Sequence, residues 1–437
     1  MINLVILVIV SVLFGCSGVE SAYELYNSNS IEPRAWIKKR SNVDEAKASI
    51  YKRVDILKDS NAREIKSVSD WNKHRPRVMA FFADNVYGRP LARPQTLEFK
   101  LLERGYASDI NALRKQYKIT ASNNGKSFSF NVVVYIPKNA KGKIPAFVSP
   151  NFSGNHAIWA DKDIILPNHF LGNNERVGIN DNKAHDYQRG KNAWRHPIDE
   201  IIARGYAFAT FCYCEVFPDK PTGASDSVYQ IYSPRKKSTA IPAWAWGNSR
   251  VFDLLESIPE IDITSVAVVG HSRLGKTAIY SGVFDPRFAV VYSNDSGCLG
   301  AATNSRNFGE TIGFMSKSAS LNYWFLDKIN DYSGSNVEKM PFDQFHLLAC
   351  IAPRAIYVAS ATNDLWADPK GEYISLKEAG KVYKLFGADD LPTDENLYIE
   401  RPFVGDVGHH LRRGNHDMTK YDWQCFMDFC DKYFGSK

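Results

Sequence analysis

The stretch VAVVGHSRLGKTAIY, from Val266 to Tyr280, predicts how the chain folds. It begins with four apolar residues, three of them β-branched valines, which is typical of a buried strand. Gly270-His271-Ser272-Arg273 interrupts this run, and a helix-like segment follows. A strand, a sharp turn and a helix with a serine at the turn lift the serine hydroxyl above the edge of a sheet. The stretch therefore predicts acyl transfer through a covalent serine ester.

Strands alternate with helices along most of the chain, which favours a mostly parallel sheet covered by helices on both faces. The predicted strands lie at 97–102, 127–136, 144–152, 206–212, 266–269, 289–293, 355–360 and 396–401, and the predicted helices at 194–204, 243–258, 275–284, 309–329, 373–386 and 419–434. The polar stretch 151–195 is too long for an ordinary connection and predicts a functional loop. The predicted class is α/β with long loop insertions.

Composition places the chain among ordinary globular proteins. It has 437 residues, of which 44% are hydrophobic and 23% are charged. The net charge of +6 is spread along the chain without a basic block. This charge mildly favours acidic ligands such as uronates and is too weak to argue for nucleic acid.

The N-terminus predicts export. Leu4 to Phe14 is apolar apart from one serine, too short to span a bilayer and about as long as the core of a signal peptide. Gly15-Cys16 then resembles a bacterial lipobox, in which Cys16 carries the lipid anchor; the alternative is an ordinary signal peptide cut near Ala22. Either leader places the protein in the periplasm or at the outer-membrane or cell surface. The predicted organisation is therefore listed as signal peptide and lipobox 1–16, tether and N-terminal extension 17–60, and catalytic domain 61–437.

The remaining cysteines do not define a framework. Their spacings match no known disulfide pattern, so free thiols and bridges both stay open; these cysteines are Cys212, Cys214, Cys298, Cys350, Cys425 and Cys430. The sequence contains neither a CxxC pair nor a phosphate-cradling glycine loop. We therefore expect no metal and no cofactor, and we expect a monomer.

Ser272 is the candidate nucleophile, and it needs a base to take its proton. The next residue, Arg273, would offer its backbone N–H to the oxyanion hole, and its guanidinium could add positive charge there. Lys276 lies one helical turn further on, near the same edge of the sheet.

The base and the acid should follow the serine in the chain, the acid before the histidine. His346 lies in a helix-like run, whereas His409, His410 and His416 follow the last predicted strand and spacing does not separate them. Two aspartates at predicted strand ends are candidates for the acid that bonds to the histidine. Asp295 follows the strand after the nucleophile unit, and Asp364 follows the next one.

Several segments carry a resemblance when they are taken together. They are GHSRLGK around Ser272, NDSGCLGAA around Asp295, SRNFGET around Glu310, HLLACIAPR at 346–354, NDLWADPKGEY at 363–373 and RRGNHDMTKYDW at 412–423. Upstream, WNKHRPRVMAFFADNVYGRP and NFSGNHAIW complete the set. As a set, which covers roughly residues 71–434, they resemble the bacterial glucuronoyl esterases of carbohydrate esterase family fifteen.

The resemblance implies an α/β-hydrolase fold and hydrolysis of the ester between 4-O-methyl-glucuronic acid on xylan and an alcohol of lignin. It implies that Ser272 is the nucleophile, that His416 is the base and that Arg273 stabilises the oxyanion. It further implies that the glucuronate sugar is held by Lys276, Glu310 and Trp366.

The resemblance does not decide which aspartate is the acid of the triad. Asp295 stands where many members carry the triad Glu, and Asp364 stands where bacterial members carry a second acid. Asp295 is one methylene shorter than Glu, which leaves Asp364 as an alternative. Two other functions also stay open: an acetyl-xylan or other carbohydrate esterase, and a non-catalytic glycan-binding surface lipoprotein, against which the complete Ser, His and Asp set argues.

Overall fold

The structure is a computed structural model that describes residues 24–48, 51–52, 54–59, 61–234, 236–388, 391 and 396–435. The predicted leader and its Cys16 lie outside the described residues. Within the described ranges, no helix combines the length and the apolar character needed to cross a membrane. The six cysteines in these ranges are buried free thiols.

A twisted sheet forms the centre of the molecule, and in the described part of the chain it has ten strands. The strands are β1 (Thr96–Ala107), β2 (Ala112–Asn123), β3 (Lys126–Pro137), β4 (Ile144–Val148), β5 (Ala207–Phe211), β6 (Ile261–His271), β7 (Val290–Asn294), β8 (Ala355–Ala361), β9 (Phe403–Val404) and β10 (Val407–Arg412). They lie side by side in the order β1-β2-β3-β5-β4-β6-β7-β8-β10-β9. The block from β5 to β10 is parallel, and the outer pairs are antiparallel.

Helices cover both faces of this sheet. They are α1 (Ala35–Lys38), α2 (Val68–Phe82), α3 (Ile198–Ala203), α4 (Tyr213–Val216), α5 (Ala240–Leu255), α6 (Arg273–Phe284), α7 (Ile312–Lys317), α8 (Gln344–Ala349), α9 (Pro369–Leu385) and α10 (Lys420–Phe434). Residues of α5, α6, α8 and α9 belong to one buried apolar cluster, and residues of α3 and α10 belong to a second. The predicted α/β class is confirmed.

The valine run of β6 shows why the central strands are apolar without alternation. Val266 and Val268 pack into the cluster with α5 and α6. Ala267 and Val269, which point to the opposite face, pack into the cluster with α3 and α10. A parallel strand buried on both faces must be apolar at every position.

The last predicted strand, 396–401, is wrong. In this segment the structure shows only isolated bridges, at Tyr398 and Ile399. The last parallel strand is β10, so His409 and His410 lie inside the sheet and not after it. The pattern was misleading because His410 is polar yet buried, with its ring nitrogens bonded to Tyr357 Oη and Asp422 Oδ1, each at 2.9 Å. Sequence patterns also missed α2 and β2.

Residues 24–48, called the N-terminal segment below, belong to the range predicted as a tether and extension. They pack on the catalytic domain instead of trailing from it. The Tyr26 N–H donates to Leu397 O at 2.8 Å, and the Ile399 N–H donates to Glu24 O at 2.9 Å. The composition looked polar because many anchoring contacts of this segment are hydrogen bonds and ion pairs.

The turn after β6 depends on a close approach at Gly270. A Cβ atom at this position would lie 1.9 Å from the carbonyl oxygen of Leu274, in the first turn of α6. No rotamer change relieves a clash with backbone. Gly275 is similarly confined, since a Cβ there would lie 3.0 Å from Ser293 Oγ.

We expect Gly270→Ala to lower the free energy of unfolding by at least about 3 kcal/mol and to abolish activity, because the turn must open to admit the methyl group. Thermal and denaturant unfolding would measure the loss. Gly313→Ala is the matched control, because a Cβ at Gly313 finds its nearest neighbour at 3.7 Å. Equal stability of the two variants would contradict this account of the turn.

Candidate active site

Ser272 occupies the turn between β6 and α6 in a strained backbone conformation, with φ 57° and ψ −127°. Its N–H donates to the carbonyl oxygen of Asn294 at 2.8 Å, which ties the turn to the end of β7. The serine lines a cavity of about 330 Å³ together with Phe152, Gly172, Asn173, Asn174, Arg195, Tyr213, Asp219, His271, Arg273 and His416. The same cavity is therefore lined by the candidate nucleophile Ser272, the candidate base His416 and the candidate oxyanion residue Arg273.

His416 contacts Asp364, not Asp295. Its Nδ1 lies 2.6 Å from Asp364 Oδ2. Asp364 is buried in the loop after β8, and His416 lies in the loop between β10 and α10. A carboxylate only accepts hydrogen bonds, so Nδ1 carries the proton and Nε2 is left as the base.

Asp295 lies beside this pair in a different environment. Its Oδ2 accepts from Arg412 Nη2 at 3.3 Å, and its Oδ1 is buried without a partner. Burial and the neighbouring Asp364 carboxylate raise the pKa of Asp295 well above its usual range. Asp295 therefore favours its neutral form more than an ordinary aspartate does, and Asp364 is the carboxyl that bonds to the imidazole of His416.

The carboxylates and His416 also satisfy the spacing of a metal site, since one ligand atom from each lies within 4.8 Å of the others. A direct hydrogen bond already joins His416 Nδ1 and Asp364 Oδ2. The Arg412 guanidinium next to Asp295 adds positive charge there. The donor set fits a triad with a second acid better than a cation site.

The other candidate histidines are structural. His346 lies in α8, where its Nδ1 accepts from the Asp343 N–H at 3.1 Å. His409 packs against the Tyr373 ring at 5.0 Å, and burial lowers its pKa to about 3. His410 is bonded to Asp422 inside the sheet.

Arg273 is held at the cavity by a carboxylate that sequence reasoning missed. Its guanidinium donates to Asp219, which also accepts from Tyr213 Oη at 2.6 Å, Tyr323 Oη at 2.5 Å and Trp324 Nε1 at 3.0 Å. Burial alone would raise the pKa of Asp219, but Arg273 and these donors lower it. Asp219 follows Pro218 in a segment that looks like an ordinary turn, so no sequence signal marks it.

The three predicted sugar-contacting residues form one network. Lys276 Nζ donates to Cys298 O at 2.7 Å and to Glu310 Oε2 at 3.0 Å, and it also donates to Ser296 O. Trp366 Nε1 donates to Glu310 Oε1 at 2.6 Å. Because all three ammonium protons of Lys276 are engaged and its side chain is buried, Lys276 positions Glu310, while Glu310 and Trp366 remain partly exposed.

The long loop 151–195 supplies one wall of the cavity through Phe152, Asn173 and Arg195. Arg195 Nε donates to Asp417 Oδ1 at 2.8 Å, and Asp417 directly follows His416. Sequence reasoning predicted the loop but not Arg195, whose partner lies 222 residues away.

His271 lies behind the base. Its ring centroid is 4.6 Å from that of His416, and its Nδ1 lies 2.6 Å from Asn294 Oδ1. Burial, with the adjacent His416, lowers the pKa of His271 well below its usual range. His271 is therefore neutral at neutral pH.

Comparisons with known proteins identify the family to which the chain is related. Residues 193–387 match a family model described as glucuronyl esterase, fungi. The chain is 36% identical over 399 residues to carbohydrate esterase MZ0003 from an unknown prokaryotic organism, covering 90% of this chain and 92% of that protein.

Two solved structures resemble this protein over an equally large part of its chain. A promiscuous CE15 esterase from a marine bacterial metagenome superposes with a TM-score of 0.83 at 35% identity, covering 90% of this chain and 99% of that one. A glucuronoyl esterase from Solibacter usitatus superposes with a TM-score of 0.82 at 31% identity, covering 90% of this chain and 100% of that one. The chain therefore belongs to carbohydrate esterase family 15, the glucuronoyl esterases.

Proposed function

We propose that this protein hydrolyses the ester between a glucuronic acid residue of xylan and an alcohol through the Ser272-His416-Asp364 triad. One observation carries the proposal: the cavity joins a strained serine, a carboxylate-bound histidine and an arginine beside the serine. The matching family model, described as glucuronyl esterase, supports the substrate class.

In the proposed reaction His416 Nε2 removes the proton of Ser272, and Oγ attacks the uronate carbonyl carbon. The resulting oxyanion is stabilised by the N–H of Arg273, which begins α6 and has no acceptor within the helix, and by its guanidinium. His416 then gives the proton to the departing alcohol. Water repeats the sequence and releases the free uronic acid.

Arg273 suits this role because its position does not depend on substrate. Asp219 binds one side of the guanidinium, and the Trp324 ring lies 4.7 Å from its Cζ. A charge held before the reaction stabilises the transition state without further reorganisation.

Specificity for the uronate ring is proposed for the Lys276-Glu310-Trp366 network. Glu310 can accept hydrogen bonds from sugar hydroxyls, and Trp366 offers an indole edge and face. The Lys276 ammonium, 3.0 Å from Glu310 Oε2, holds the Glu310 side chain in place. The backbone adds rigidity, since the Glu310 N–H donates to Trp366 O at 2.7 Å.

We further propose export and a lipid anchor at Cys16, supported by the apolar run and lipobox-like Gly15-Cys16 in the sequence. An exported protein would meet plant cell-wall fragments directly. Hydrolysis of other carbohydrate esters is the second candidate, because a related family member is described as promiscuous.

The substrate class is tested by comparing benzyl glucuronate with nitrophenyl acetate. We expect kcat/KM to favour the glucuronate by at least about tenfold, because only this substrate engages Glu310 and Trp366. Ser272→Ala should remove turnover of both. Activity on the acetate alone would contradict the proposed substrate.

The acid is tested by paired substitutions. Asp364→Asn should lower kcat by about 10³- to 10⁴-fold, because an amide can donate to Nδ1 and stabilise the wrong tautomer. Asp295→Asn should lower kcat by less than about fivefold, because the carboxyl that bonds to His416 is that of Asp364 and an asparagine oxygen can still accept from Arg412.

Steady-state kinetics on benzyl glucuronate measures both effects, and unfolding curves exclude misfolding. The two variants are matched, because both acids are buried and lie at the same edge of the sheet. A larger loss in Asp295→Asn than in Asp364→Asn would reverse the assignment.

The oxyanion role is tested at Arg273. We expect Arg273→Gln to lower kcat by about 10²-fold with little change in KM, because its charge matters most in the transition state. Tyr323→Phe is the control: it removes a donor to Asp219 but leaves the ion pair. A pure KM effect in Arg273→Gln would indicate ground-state binding instead.

A further inference from the structure

Trp36 is a large apolar side chain that remains 41% exposed although it packs against Trp366. It belongs to α1 of the N-terminal segment. Its ring centroid is 5.1 Å from that of Trp366, with the rings inclined by 57°. An exposed indole beside an indole for which we propose sugar binding is a feature that folding alone does not require.

The N-terminal segment is anchored on both sides of Trp366. Glu45 pairs with Arg306 at 2.8 Å and with Lys370 at 2.8 Å. The Gly309 N–H donates to Asn42 O at 2.8 Å. Two of these contacts are made just before Glu310 in the chain, and one is made just after Trp366. The segment is thus fixed to both loops, which holds Trp36 in a defined place.

Nearer the start of the N-terminal segment, Tyr26 Oη donates to Thr362 O at 3.2 Å, in the loop that carries Asp364. The segment therefore contacts the same loop at two places, near the acid and near the indole. The aromatic corner that results comprises Trp36, Trp366 and Phe314, whose ring meets Trp366 edge-on at 4.8 Å.

A short series of contacts connects this corner to the nucleophile. Trp366 bonds to Glu310, Glu310 bonds to Lys276, and the Lys276 N–H donates to Ser272 O at 3.1 Å. Trp36 lies at the outer end of this series. It lies beside the residues for which we propose uronate binding and does not line the cavity that contains Ser272.

A substrate carried on xylan has a second sugar next to the uronate ring, and this sugar needs a surface on which to bind. The xylose that carries the uronate is one glycosidic bond away from the ring whose ester is cut. A pyranose ring has an apolar C–H face that packs on an indole, while its hydroxyls remain in water. Arg40, whose Cζ is 5.7 Å from the Trp36 ring centroid, is near enough to meet those hydroxyls.

We propose that Trp36 forms a subsite for the sugar that adjoins the esterified glucuronic acid, a xylose of the main chain. The proposal rests on the glucuronoyl esterase function and adds a chain-recognition site contributed by the N-terminal segment. Trp36 does not touch the reacting atoms, so it acts on binding of the longer substrate and not on the chemical step.

The test compares two methyl esters: that of glucuronic acid alone, and that of glucuronic acid carried on a xylo-oligosaccharide. In Trp36→Ala we expect kcat/KM for the oligosaccharide ester to fall about five- to tenfold, mainly through KM, with the monosaccharide ester unchanged within about twofold. Trp36→Phe, which keeps a smaller ring face, should give an intermediate loss on the oligosaccharide alone.

Tyr106→Ala is the matched control. Tyr106 is 42% exposed and has Lys138 Nζ 4.2 Å from its ring centroid, but it lies on β1 at the far edge of the sheet. It should leave both substrates unaffected. Unfolding curves for all variants show that the fold is intact.

Equal loss on both esters in Trp36→Ala would mean that Trp36 merely supports Trp366, and it would overturn the subsite. No loss on either ester would overturn it as well. If the unmodified protein hydrolysed neither ester, the proposed function itself would fail, and that result is distinct from both of the others.

Discussion

The backbone at Ser272 is the constraint on which the site is built. Its φ of 57° and ψ of −127° are unfavourable for a residue with a side chain, and they persist because the surroundings leave no alternative. Gly270 lets the helix start directly above the strand, and Gly275 lets α6 pack against the end of β7. The direction of α6 follows from this turn, and with it the positions of Arg273 and Lys276.

Around this turn the cationic side chains are paired with carboxylates: Arg273 with Asp219, Arg195 with Asp417, Lys276 with Glu310, and Arg412 with Asp422. Pairing offsets the cost of burying the charges and fixes their geometry. The site is therefore organised before substrate arrives. Asp364 instead bonds to His416 Nδ1 at 2.6 Å.

Asp295 and Asp364 are two buried aspartates with different hydrogen-bond partners. Asp295 and Asp364 follow adjacent parallel strands, so the sheet brings them together. Two adjacent buried carboxyls do not ionise equally, and Asp295 is the one whose pKa is raised. Asp364 bonds to His416, whereas Asp295 accepts a hydrogen bond from Arg412.

The sequence alone was sufficient for the α/β class and for the strand–turn–helix that carries Ser272 and Arg273, because both are local patterns. An apolar strand followed by a glycine-bounded serine has few other structural solutions. Resemblance then selected His416. Local patterns failed at β10, where buried polar residues replace the apolar run.

Tertiary structure was needed wherever the answer depended on a distance between remote segments. Chain order allowed both Asp295 and Asp364, and only the fold showed which one lies 2.6 Å from the imidazole. The same holds for Asp219 beside Arg273 and for Trp36 beside Trp366. Sequence encodes which residue types are available, but hydrogen bonds and charge pairing depend on separations of a few ångströms that arise only when the sheet, its helices and the N-terminal segment pack together.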